Sequence, residues 1–184
     1  MIILIAGLVV FFGIHVFPWF PDRRDAAISK LGRKRYRGLF ALVSAAGLGL
    51  IIYGYGSADR TFLWAAPAGA RELAYILVPI ALCLTVAAEI GSNIKRLTPH
   101  PMLWSVGIWA AVHLLNNGDV ESLLLFGAFL VYSALAMVSA NRRGAARITE
   151  KRPVWRDAAA VIIGLVAAGA VAHFHQTLFG VPVL

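Results

Sequence analysis

The chain has 184 residues, of which 60% are hydrophobic and 14% charged, and its mean hydropathy is +0.76. Soluble domains carry about 45–50% apolar residues, so this composition excludes an ordinary soluble protein. The net charge of +8 does not point to nucleic acid. The basic residues sit in short loops between apolar blocks, where they act as topology signals facing anionic lipid. The lone cysteine, Cys83, excludes an intrachain disulfide, a Cys-rich zinc site and the C-x-x-C-H attachment of c-type haem.

The apolar blocks are about 20 residues long, the length that crosses a ~30 Å hydrocarbon core. They predict an all-α, polytopic membrane helix bundle with six transmembrane helices at 2–20, 38–56, 73–92, 102–117, 120–139 and 157–178. Residues 1–184 are read as a single transmembrane domain, whose helix contacts should be lined by its abundant Ala and Gly. The first block has no basic residues before it and no small-x-small cleavage site, and Pro18 and Pro21 end it among aromatics. It is expected to be a retained helix rather than a signal peptide.

The segment after the first helix, PDRRDAAISKLGRKRYR, holds seven Lys/Arg residues and reads as a short amphipathic helix on the membrane surface, with Ala27, Ile28 and Leu31 dipping inward. The loop after the second helix, SADRTFLWAAPAGAR, holds Arg60 and Arg71 and an interfacial Phe62-Leu63-Trp64. The remaining basic residues follow helices three and five, so 15 of the 17 Lys/Arg lie after odd-numbered helices. By the positive-inside rule those loops face the cytoplasm and both termini lie outside.

An ionisable group at the centre of a membrane helix costs ~2.5–3.5 kcal/mol on insertion scales and is a functional candidate by default. His15 lies in the first helix, within FFGIHVF, and His113 in the fourth, within HPMLWSVGIWAAVHLLNNGD. Glu89 ends the third helix and is expected near the inner interface, paired with a basic loop residue. His100 stands at the entrance of the fourth helix, and His173 and His175 near the outer end of the sixth. At 3.6 residues per turn, Trp109, His113 and Asn117 share a face, with Trp109 as a packing wall and Asn117 as a hydrogen-bond partner. His100, Trp104 and Gly107 form a second stripe.

Buried imidazoles on two helices are what a low-spin b-type haem needs. Three pairs are open: His15 with His113, His15 with His100, and His113 with His175. Arg23 and Arg24, or Lys95 and Arg96, would face the propionates. Zinc and di-iron sites lack ligands, since Glu89 is the one acid read as buried. Phe11, Phe12, Trp104 and Trp109 suit the wall of a long apolar cavity for a hydrophobic, lipid-like small molecule.

Four stretches carry a family resemblance: GLVVFFGIH, LVSAAGLGLIIYGYG, HPMLWSVGIWAAVHLLNNGDVESLLLFGAFLVYSAL and the ending HQTLFGVPVL. Together they resemble the NnrU family of bacterial inner-membrane proteins over essentially the whole chain. The chain departs from the family's HPMLWGVK-like start at Ser105 and Gly107, where the family carries glycine and often lysine. The resemblance implies a multi-pass protein of the bacterial inner membrane, linked to nitric-oxide and nitrite metabolism in denitrification. The family is also similar to the 15-cis-ζ-carotene isomerase of plants and cyanobacteria, a haem b membrane enzyme with histidine ligands. Its I-H and A-H-L-like contexts match His15 and His113, so the resemblance implies that pair as haem b ligands. It also offers a haem-dependent carotenoid cis–trans isomerase as an alternative function. A non-catalytic membrane assembly factor, with histidines used only for packing, is a third reading.

Overall fold

The computed structural model describes residues 1–180 and 183, so most of the VPVL ending lies outside the described residues. Among them there are seven α-helices and no strands: α1 (Ile2–Val16), α2 (Pro21–Leu31), α3 (Arg33–Gly56), α4 (Ala70–Ile90), α5 (Pro101–Asn116), α6 (Val120–Arg142) and α7 (Trp155–Phe179). Short 3₁₀ turns at Phe17–Trp19 and Asn93–Arg96 complete the order.

Five segments are long and apolar enough to cross a membrane: α1 with its following turn, α3, α4, α6 and α7. The fourth expected crossing is α5, which has 16 residues. At 1.5 Å per residue that is ~24 Å, short of a ~30 Å core. Val9, Leu42 and Val166 are 67%, 66% and 67% exposed. Large apolar side chains left open in this way suit contact with lipid tails.

The chain forms two units. The first holds residues 1–64 and 119–128. Its centre is the α1–α3 pair. Gly54 meets Leu4, Gly7 meets Leu50 and Ile51, and Gly47 meets Phe11, so the two helices run antiparallel with their backbones in near contact. Helix α1 stops where Pro18 removes a donor. The basic segment does form a helix, α2, with Ala27 and Ile28 half-buried but Leu31 exposed. Gly32, at φ 77° and ψ 149°, then turns the chain directly into α3, a conformation open essentially to glycine alone.

The second unit holds residues 65–118 and 129–184. Helix α4 packs against both α5 and α7. Gly164 of α7 lies against the Cys83 backbone of α4. Ser105 of α5 and Thr85 of α4 share a hydrogen bond of 2.6 Å between hydroxyls. At the far end of α5, the Asn116 side chain donates to the Ala70 carbonyl at 3.1 Å. Glu89 is exposed and makes no ion pair among the described residues. The expected pairing with a loop cation is therefore not formed.

Candidate functional site

Each of the two histidines singled out by burial bonds to its own helix. His15 donates its Nδ1 proton to the carbonyl oxygen of Phe11, one turn back, at 2.6 Å. His113 does the same to Trp109, at 2.8 Å. A carbonyl oxygen only accepts, so Nδ1 is the donor in both rings. Each ring also lies on the aromatic residue whose carbonyl it uses. The centroid separations are 4.2 Å for His15 and Phe11 and 5.0 Å for His113 and Trp109. A second aromatic follows in each unit: Phe40 lies 5.3 Å from His15, and Phe129 is edge-on to Trp109 at 5.5 Å.

Asn117 shares the His113 face as expected, but its side-chain amide donates to the His113 backbone carbonyl at 2.8 Å, not to the imidazole. It closes the C-terminus of α5, which ends at NNGD because the chain turns extended at Asn117. His175 belongs to the same unit as His113 and is near enough to interact with it electrostatically. His15 belongs to the other unit. His100 is the N-cap of α5, and its Nε2 donates to the Asn141 side-chain oxygen at 2.7 Å, the opposite tautomer from His113. His173 is exposed, edge-on to Phe174. A methyl group at Gly107 would sit 3.6 Å from Ser133, so this glycine faces α6 at ordinary contact distance.

The family model described as NnrU protein matches residues 3–183. The chain belongs to the NnrU family. No curated protein and no solved structure matches it.

The five membrane-length helices make this NnrU protein a multi-pass membrane protein by length and composition. Two groups of polar residues escaped the sequence reading. On α3, the hydroxyls of Tyr36 and Ser44 are buried without a hydrogen-bond partner among the described residues. They flank Phe40 at i, i+4 and i+8 on α3. Ser57, Thr85 and Ser133 each donate to the carbonyl four residues back, whereas Ser44 does not. Buried hydroxyls without partners are uncommon and call for a ligand or solvent group that satisfies them.

The second group lies within the first unit, where residues 57–64 meet the start of α6. Among the described residues the buried acid is Glu121, 1% exposed, and not Glu89. Its Oε2 accepts the Thr61 backbone N–H at 3.2 Å. Asp119 caps α6 by accepting the Ser122 N–H at 2.7 Å and the Ser122 hydroxyl at 2.9 Å. That hydroxyl has spent its proton, so Tyr55 is the donor in their 2.9 Å contact. Arg60 stacks 4.0 Å over the Tyr55 ring and reaches Asp119 at 3.4 Å. Burial disfavours its charge, but Tyr55 and Asp119 outweigh that and hold its pKa above the ordinary arginine value.

Proposed function

We propose that this NnrU protein binds haem b through His15 and His113 and serves nitric-oxide or nitrite metabolism in the bacterial inner membrane. The observation that carries the reading is the shared tautomer. A histidine that ligates a metal through one ring nitrogen almost always donates the other to a carbonyl or carboxylate, which fixes the ring and raises its basicity. Both imidazoles have that arrangement through Nδ1. The unsatisfied Tyr36 and Ser44 hydroxyls fit polar substituents of a bound group, and Phe40 between them fits its apolar body. When bound, haem b supplies one-electron redox chemistry and an iron that binds nitric oxide. The chain's own part is to hold each imidazole by its Nδ1 bond, with Phe11 and Phe40 against His15 in the first unit and Trp109 against His113 in the second.

The same reading takes 1–184 as one transmembrane domain of six crossings with both termini outside. The asymmetry of the basic loops supports it, with α5 as the sixth crossing. A 16-residue helix is accommodated by local bilayer thinning and flanking polar residues.

The test is the absorption spectrum of the detergent-purified protein, oxidised and dithionite-reduced, beside His15→Ala, His113→Ala and His175→Ala. The expected result is a Soret band with split α and β bands on reduction, lost in the first two variants and kept in the third. Loss in His113→Ala and His175→Ala, with His15→Ala intact, would assign the pair to the second unit instead, as the proximity of His175 allows. A flat spectrum after haem is added back would sink the cofactor altogether.

A further inference from the structure

At the end of the second unit that carries Lys95, Arg96, Arg142 and Arg143 there is a cavity of about 350 Å³. Its wall includes His100 and Trp104 of α5, Met137 and Asn141 of α6, and Ala145 and Arg147 of the loop that follows. We propose that this cavity binds a phosphate group, most naturally the head of an anionic phospholipid of the cytoplasmic leaflet.

The charge of the lining comes first. Among the described residues that line it, Arg147 is the one permanent cation and none is acidic. Among the described residues Arg147 makes no ion pair; the three that form use Arg24, Arg60 and Arg152. An arginine guanidinium presents a planar fork of donors that matches phosphate oxygens. Beside it stands the start of α5, with His100 as N-cap and Pro101 as first residue. The positive end of that helix dipole adds to the field of Arg147.

The apolar part comes second. Trp104 is 48% exposed at the mouth of the cavity, and Met137 lies alongside. A half-exposed tryptophan next to a cation suits the level of lipid headgroups, where its ring meets the acyl boundary. An anion with no apolar tail would leave that wall unused.

The cation is also held in place. The loop bearing Arg147 is tied to the 3₁₀ turn by the Ile148 N–H, which donates to the Lys95 carbonyl at 3.2 Å. Its start is closed by the Gly144 N–H donating to the Asn141 carbonyl at 3.0 Å. His100 in turn holds the Asn141 side chain at 2.7 Å. These ties join the parts of the cavity that come from three separate stretches of chain.

The experiment is native mass spectrometry of the full-length protein titrated with phosphatidylglycerol, phosphatidylcholine and inorganic phosphate. Wild type is expected to prefer phosphatidylglycerol. One basic residue at a membrane surface contributes about 1 kcal/mol toward an anionic lipid, so Arg147→Gln is expected to weaken that binding about fivefold. Ala145→Glu, which sets a carboxylate in the wall, should do the same and serves if Arg147→Gln does not fold. Arg37→Gln, in the first unit, should leave the preference intact. Inorganic phosphate that binds wild type but neither cavity variant, with the two lipids bound alike, assigns the cavity to a soluble phosphate. Equal binding of the lipids without phosphate binding overturns the proposal, as does a preference unchanged in both variants.

Discussion

His113 and Trp109 are locked together twice, by a ring contact at 5.0 Å and by the bond from the imidazole Nδ1 to the Trp109 carbonyl. The same double lock joins His15 to Phe11, whereas His100 bonds through Nε2 to Asn141. The expected outcome is two populations of neutral histidine in ¹⁵N-labelled, haem-free protein. His15 and His113 should show the Nδ1–H form, and His100 the Nε2–H form. Nitrogen NMR with single His→Asn variants makes the assignment. Nε2–H signals from His15 or His113 would remove the observation on which the haem reading rests.

The α1–α3 pair depends on glycine at three contacts. A methyl group at Gly47 would come within 2.8 Å of the Phe11 backbone, and one at Gly7 within 2.6 Å of the Ile51 nitrogen. Gly49 lies on the same helix as Gly47 with nothing within 4 Å. Gly47→Ala is expected to destabilise by about 1–3 kcal/mol, the usual cost of overpacking. Gly49→Ala should be neutral or stabilise by about 0.5–1 kcal/mol, because alanine is the better helix former. Thermal unfolding in one detergent separates the two. Equal shifts would mean that the helices are not in backbone contact.

Much of the fold was legible because membrane helices are written in local composition. The apolar blocks, the break at Pro18 and the basic helix after it follow from residues adjacent in sequence. His15 and His113 stood out for the same reason, as polar groups inside apolar runs. What was not legible depends on partners distant in the chain. Glu121 reads as an ordinary first-turn acid and becomes the buried one because Thr61, 60 residues earlier, donates to it. Glu89 reads as buried because it sits within an apolar run, yet it is exposed while Ala87 beside it is buried. Tyr36 and Ser44 are common residue types on a basic and a small-residue stretch. Only the absence of any hydrogen-bond partner for their hydroxyls marks them. The length of α5 was legible as well: the expected 102–117 and the observed Pro101–Asn116 both have 16 residues, because Pro101 opens the helix and Asn117 caps it.

Glu121 provides a test of the polar cluster at the start of α6. Its carboxylate satisfies the Thr61 N–H in a buried position, next to a backbone bond from the Val120 N–H to the Thr61 carbonyl of 2.9 Å. Glu121→Ala leaves the Thr61 donor without a partner, at a cost of about 1–3 kcal/mol. Glu121→Gln keeps an acceptor oxygen and should recover most of that loss. Unfolding temperatures in matched micelles check both. A glutamine variant as unstable as the alanine variant would mean that the negative charge, not the hydrogen bond, holds residues 57–64 against α6.

Asn93 holds together the start of α7, the loop before it and the 3₁₀ turn. Its side-chain amide donates to Asp157 Oδ2 at 2.6 Å and to the Arg152 carbonyl at 2.9 Å, and its Oδ1 accepts the Arg152 N–H at 2.9 Å. Its own backbone N–H donates to Asp157 Oδ1 at 2.7 Å. Asparagine alone among side chains of this size offers both a donor pair and an acceptor here. Asn93→Asp keeps the shape but turns the donor into a carboxylate facing Asp157, so it should be the worse variant. Asn93→Ala loses the side-chain bonds and is expected to cost about 2–3 kcal/mol, at ~1 kcal/mol for each bond. Both should free the loop that carries Arg147 and Lys151, and trypsin should then cut there faster than in wild type. Cleavage at the wild-type rate in Asn93→Asp would show that the loop is held by other contacts.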